Sequence, residues 1–160
     1  MKQPRIELKS IKHHAGLSQE THAYTATIYV DGKRFATVSN AGHGGSDDVH
    51  PISGNYEHVR ALDERIRTTF PRSGFQYNPE GYEQTLEGVC CDLVNEFLHR
   101  REFKKNLKKF AFIQDGELFT IKRAGALTLE RVKAASWAKG ATFLADLPEE
   151  EALELFKAHA

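Results

Sequence analysis

The chain is 160 residues long, 40% hydrophobic and 28% charged, with 22 basic residues balanced by 22 acidic ones. That length can bury a core without disulfide or metal staples, and the composition excludes disordered and fibrous classes. A neutral chain does not track nucleic acid by bulk charge, so any such role needs a local basic patch. One domain spanning 1–160 is the expectation, with a helical carboxy-terminal appendage over 125–160 as the variant.

The amino-terminal residues Met1 to Arg5 lead into no apolar run, and no stretch reaches membrane-spanning length. The two cysteines, Cys90 and Cys91, are adjacent in a helical pattern, where side chains diverge by about 100° and make poor disulfide partners. One is expected in the core and its neighbour near the helix flank. Reduced cysteines suit a cytoplasmic protein with no membrane contact.

In chain order, Arg5 to His13 alternates at Ile6 and Leu8 but loses phase at Ile11, which predicts a strand with a bulge. Ala23 to Val30, Asp31-Gly32 and Lys33 to Ser39 form a hairpin signature, because type I′ turns need positive φ at both central residues. A three-stranded antiparallel meander follows for the first forty residues or so. The segment from Ser39 to Pro51 then reads as a loop crowded with glycines, histidines and carboxylates. A helix from about Asn55 to Phe70 takes Asn55 as its cap and Tyr56, Val59, Leu62 and Ile66 as its stripe, and Pro71 ends it. Residues 71–81 read as a turn-rich loop whose aromatics Phe70, Phe75, Tyr77 and Tyr82 cap a core edge or dock a partner.

The longest helix starts near Thr85. Leu86, Val89, Cys90, Leu93, Val94, Phe97 and Leu98 form its apolar stripe. Continued onward, the same stripe is occupied by Arg101, Lys104, Lys105 and Lys108, while Phe103 and Leu107 fall to one side. Unpaired charge is not buried, so the helix is expected to project after Arg100 or break near Asn106. A second Asp-Gly hairpin covers Phe110 to Lys122, with Phe110, Phe112 and Gln114 on one face. Thr128 to Lys139 reads as a helix ended by Gly140, Thr142 to Leu144 as an edge strand, and Pro148 opens a last helix with acids in its first turn. Trp137 is a core or interface anchor. The fold class is therefore α+β: an antiparallel sheet from the amino-terminal meander and the second hairpin, with amphipathic helices packed on it and a helical carboxy terminus.

Three constellations could carry function. Gly42, Gly44 and Gly45 could let the backbone approach a ligand. His43, Asp47, His50 and His58 include ligand types that a divalent metal such as zinc or manganese accepts, although loop spacing supplies no confirming register. His50-Pro51, Gly54, Asn55 and His58 are similar to a His–Asn–His nuclease finger, but Asn55 and His58 stand only three apart and no zinc-ribbon cysteines flank them. This keeps a small metal-dependent phosphoesterase or nuclease as the alternative; otherwise no cofactor is expected. No dinucleotide fingerprint, phosphate loop, nucleophile elbow or Cys-x-x-Cys is complete, and no catalytic residue is assigned. Third, Arg100, Arg101, Lys104, Lys105, Lys108 and Lys109 make a dense basic patch suited to phosphate or an acidic protein.

The run from Ser18-Gln19-Glu20-Thr21-His22-Ala23-Tyr24 through Asp31-Gly32 to Gly42-His43-Gly44-Gly45 resembles a pattern in small uncharacterised proteins of phages and mobile elements. That resemblance implies a counter-defence or regulatory factor that binds a host protein or nucleic-acid machine, and transfers no catalytic residue. The leading expectation is a non-catalytic binding protein that docks nucleic acid, or a nucleic-acid-binding host protein, through the basic patch. That expectation weakens for every cation that pairs with a carboxylate of its own chain. A homo-oligomer joined through Trp137 and the terminal helix is a third candidate.

Overall fold

The first forty residues form the expected meander, and the chain as a whole is α+β. The computed structural model describes residues 2–75 and 78–160. The chain divides into two compact units, residues 1–95 and 96–160, whose boundary falls inside the longest helix.

In the first unit, β1 (Ile6–His13), β2 (Tyr24–Val30), β3 (Lys33–Asn40) and β4 (Asp48–Pro51) form an antiparallel sheet in sequence order. Asp31 and Gly32 take φ of 49° and 82°, the type I′ geometry that Asp-Gly favours. The register of β1 slips between Lys9 and Lys12, with Ser10 at φ 55°, where the loss of phase at Ile11 predicts a bulge. Alternation then sorts the faces: Ala26, Ile28, Ala36 and Val38 are buried, while Thr25 is exposed and Thr27, Thr37 and Ser39 are half-buried.

β4 corrects the reading of residues 39–51 as one loop. Asp48 to Pro51 pairs with β3 from Ser39↔Asp48 to Ala36↔Pro51, a strand too short to announce itself by periodicity. α1 (Tyr56–Thr69) follows, capped as expected: the Asn55 carboxamide oxygen accepts the Glu57 N–H at 3.0 Å. Leu62 and Ile66 are buried, but Tyr56 is 52% exposed, so the first turn of the stripe stays wet. Residues 71–81, expected to be a loop, contribute a two-stranded ribbon, β5 (Ser73–Phe75) with β6 (Asn78–Tyr82). Tyr82 is exposed and Phe70 half-buried, whereas Tyr77 and the Phe75 side chain lie outside the described residues.

α2 (Leu86–Leu107) starts at Thr85, whose hydroxyl accepts the Gly88 N–H at 3.0 Å. Asp63 of α1 accepts the Leu86 N–H at 2.7 Å, satisfying another orphan donor of the first turn. Leu86, Val89, Cys90 and Val94 are the buried residues of its first half.

Of the two outcomes expected for α2, the break near Asn106 is the one observed, since the helix ends at Leu107 and Lys108 lies in a turn. In the second unit the helix buries a different set of residues, Phe103 and Asn106, with Leu107 half-buried. Its partner is a three-stranded sheet ordered β8-β7-β9, built from β7 (Phe110–Gln114), β8 (Glu117–Ile121) and β9 (Thr142–Phe143). Ala111 and Ile113 join Phe103, Leu144, Leu153 and Phe156 in one cluster. Phe110, Phe112 and Phe143 join Val132 and Ala138 in another. The two β7 faces therefore feed two hydrophobic clusters, which gives this unit its own core.

α3 (Leu129–Lys133) is capped by Thr128 as expected, the hydroxyl accepting the Arg131 N–H at 3.3 Å, but it is shorter than predicted. Ala135 adopts extended backbone and a short 3-10 turn carries Trp137, whose ring centroid lies 5.6 Å from that of Phe112. α4 (Glu149–His159) closes the chain with Glu149, Glu150 and Glu151 in its first turn. No helix among the described residues is long and apolar enough to cross a membrane.

Phe103→Ala is expected to cost about 3–5 kcal/mol in urea unfolding, because a ring that is 1% exposed leaves a cavity. The adjacent exposed Lys104→Ala is expected to change stability by less than about 0.5 kcal/mol. Equal small effects would place the second half of α2 outside any core.

Candidate functional site

The loop after β3 is organised by Asn40. Its carboxamide oxygen accepts the Thr21 hydroxyl at 2.9 Å and the Gly42 N–H at 2.8 Å. Its amide nitrogen donates to the Gly45 carbonyl at 2.9 Å and to Asp47 at 3.0 Å. The other Asp47 oxygen accepts the Tyr24 hydroxyl at 2.5 Å, and the Asp47 N–H donates to Glu87 at 3.1 Å. Burial, reinforced by this bond to Asp47, pushes the Tyr24 phenol far above its ordinary value, so it remains a donor. Sequence reasoning missed Asn40 as a hub. The available signal was an Asn two residues before Gly42, the spacing of an Asx-turn.

The glycines serve this packing. Gly42 has φ 86°, and a Cβ there would sit 2.4 Å from the Leu17 carbonyl oxygen and 2.9 Å from the Ala23 Cβ. Its own carbonyl accepts the N–H groups of Gln19 and Glu20 at 2.9 and 3.1 Å. Gly44, at φ 83°, lies against the Glu20 carboxylate, and only Gly45 faces open space. Gly42 and Gly44 thus permit a close approach of the chain to itself.

The four candidate metal ligands are held apart by separate partners. His43 faces Gln19 at 3.3 Å and Asp47 is committed to Tyr24 and Asn40. His50 lies 3.0 Å from both Asp48 and Tyr56, and His58 lies 3.0 Å from Ser53. Among the described residues no group of three or more His, Cys, Asp or Glu side chains converges in a metal-holding arrangement. Asn55 serves as the α1 cap, which accounts for it without a nuclease finger. Elsewhere His13 and His22 meet edge to face at 5.3 Å, and His22 bonds Asn95 at 2.8 Å.

A cavity of about 70 Å³ beside this network is bordered by His22, Tyr24, Asp47, Glu87 and Cys91. Its thiol is not an activated nucleophile. Partial burial, with Asp92, Asp47 and Glu87 nearby, raises the Cys91 pKa, the reverse of the electropositive setting of reactive cysteines. Cys90 is buried and its neighbour exposed, as the helical pattern implies. Burial pushes the Cys90 thiol up to about 12.

The basic patch is smaller than its sequence. Arg100 donates to Glu96 at 2.7 Å and to both oxygens of Glu150 at 3.1 Å. Lys157 and Arg100 hold the Glu96 carboxyl below the usual carboxylate range, and Arg100 does the same to Glu150. Lys105 pairs with Glu102 at 3.0 Å. Among the described residues, Arg100 and Lys105 of the six candidate cations thus pair with carboxylates of their own chain. Arg101 is exposed, 5.8 Å from the centre of the Phe97 ring. Lys104 and Lys108 are exposed and Lys109 half-exposed, with no carboxylate within 4.0 Å of them among the described residues. Arg101 and Lys104 lie three apart on one face of α2, and Lys108 follows in the turn just past its end. No protein-family model, curated protein or solved structure matches the chain.

Gly42→Ala is expected to cost about 2–4 kcal/mol, combining positive-φ strain with overpacking against Leu17, whereas Gly45→Ala stays within about 0.5 kcal/mol in chemical denaturation. The Cys90 shift sets an alkaline limit. Its folded pKa lies above the reference 9.0, so the stability it supports is complete below that value and is lost as pH climbs towards about 12. Thermal midpoints measured across that window should fall less steeply in Cys90→Ala than in the parent. A thiol reagent should label Cys91 in the native protein and Cys90 only on unfolding.

Proposed function

We propose that the chain is a non-catalytic nucleic-acid-binding protein that grips phosphate through Arg101, Lys104, Lys108 and Lys109. The observation that carries this reading is the set of three lysines, 104, 108 and 109, left without a carboxylate partner among the described residues, beside ion pairs that occupy Arg100 and Lys105. A chain with zero formal charge that pairs some cations internally and leaves neighbouring lysines unpaired among the described residues concentrates its positive potential locally. The cations surround the carboxy-terminal end of α2, whose dipole favours them even before ligand arrives. A row of lysines without a base-reading element favours backbone contact over sequence recognition. In the phage-like setting that the resemblance of residues 18–45 implies, the role is counter-defence or regulation at a nucleic-acid machine of the host.

Fluorescence anisotropy with labelled single-stranded and duplex oligonucleotides over a salt series tests the proposal. Lys104→Glu/Lys108→Glu should weaken binding at least about tenfold and flatten the log–log salt dependence by roughly one to two units. Lys105→Ala, which removes an internally paired cation, should bind nearly as the parent does. Affinity unchanged by the double reversal would overturn the proposal.

A further inference from the structure

We infer that β8 is a self-pairing edge, through which a second copy of this chain extends the sheet of the second unit. The inference is independent of nucleic-acid binding and uses residues outside the α2 cation row. In the order β8-β7-β9, β8 has β7 on one side and, among the described residues, no strand on the other, with His159 of α4 bonded to the Gly116 carbonyl just before it at 3.0 Å. Asp115 and Gly116, at φ 51° and 79°, close a two-residue turn in which Gln114 pairs with Glu117. In that hairpin class the flanking pair is hydrogen-bonded, so Glu117, Phe119 and Ile121 direct their backbone groups at β7. The N–H and C=O groups of Leu118 and Thr120 therefore point outward. Thr120 is exposed and Phe119 is 42% exposed.

Three features make a second copy of β8 the fitting occupant. The first is register. A two-fold axis at Phe119 sets Leu118 opposite Thr120 of the other copy, and the reverse, so each unsatisfied group meets its complement. The second is charge. Glu117 begins the strand, with Asp115 in the turn before it, and Lys122 and Arg123 lie just past its other end, where Arg123 donates to the Leu107 carbonyl at 3.3 Å and lies over the Phe110 ring. Antiparallel self-pairing about Phe119 sets Glu117 opposite Ile121 of the second copy, so the acidic end at Asp115 and Glu117 meets the basic end at Lys122 and Arg123, twice per dimer. A parallel arrangement would oppose like charges.

The third feature is the aromatic row. Phe143, Phe112 and Phe119 are cross-strand neighbours, with centroids 5.0 and 5.6 Å apart in succession. The exposed ring of Phe119 ends that row, and pairing at the axis continues it into Phe119 of the other copy. An open strand edge that ends an aromatic row is a surface that natural proteins cover. The strand is only five residues long, so the interface is small and the association weak and reversible.

Sedimentation equilibrium from micromolar to millimolar protein reads the association directly. The parent should show a monomer–dimer equilibrium, and Thr120→Pro, which removes an outward N–H, should weaken it at least about tenfold. Glu117→Arg should weaken it and Arg123→Glu should weaken it more, since the latter also turns Asp115 against like charge, and an equimolar mixture of the two should recover part of the dimer because position 117 of each copy again faces the opposite charge at position 123. Circular dichroism and thermal midpoints verify folding, and the mixing experiment reads pairing even if Arg123→Glu loosens its own contacts. A parent that stays monomeric throughout, or association insensitive to Thr120→Pro and to both charge variants, would overturn the inference. Pairing of the edge only with an unrelated extended peptide would also overturn it.

Discussion

A long helix cannot keep one buried stripe when arginine and lysine occupy the continuation of that stripe. α2 resolves the conflict by changing which residues it buries along its length: Leu86, Val89, Cys90 and Val94 in the first unit, Phe103 and Asn106 in the second. Desolvating a lysine without a partner costs far more than exposing a leucine, so charge decides which positions stay wet. The rest of the second unit depends on this change. Phe103 packs in the cluster that includes Ile113, Leu153 and Phe156, and Arg101, Lys104 and Lys105 remain at the surface.

The same cations then divide by what lies near them. Arg100 meets Glu150 of α4 in a bidentate arrangement, with Glu96 and Lys157 completing an ion network. Such a network on partly exposed side chains orders the surface more than it stabilises the fold. Lys104, Lys108 and Lys109 have no such arrangement among the described residues, and the proposed function rests on them. Neighbouring cations thus differ in whether the fold delivers a carboxylate to them.

In the first unit, a chemically rich loop is held together by its own hydrogen bonds. Asn40 uses both oxygen lone-pair directions and both amide hydrogens to fix Thr21, Gly42, Gly45 and Asp47. Fully satisfied polar networks of this kind rigidify a loop and hold one geometry. The histidines and carboxylates that suggested a metal are each held by a neighbour of their own, and Gly42 and Gly44 admit the chain's own atoms.

Local chemistry alone was enough to determine the turns, caps and element types. Asp31-Gly32 and Asp115-Gly116 form their hairpins, Asn55 and Thr128 cap their helices, and the loss of phase at Ile11 marks a real bulge, because each depends on residues a few positions apart. β4, the ribbon formed by β5 and β6, and the break at Ala135 were not legible, since short strands and a broken helix draw on distant partners rather than on their own periodicity. Side-chain type and spacing proposed which residues could act. Only tertiary structure decided that Arg100 is occupied, that Gly42 faces Leu17 and that His43 and His58 stand apart, because a hydrogen bond or ion pair between residues remote in sequence exists only once the backbone has brought them within reach.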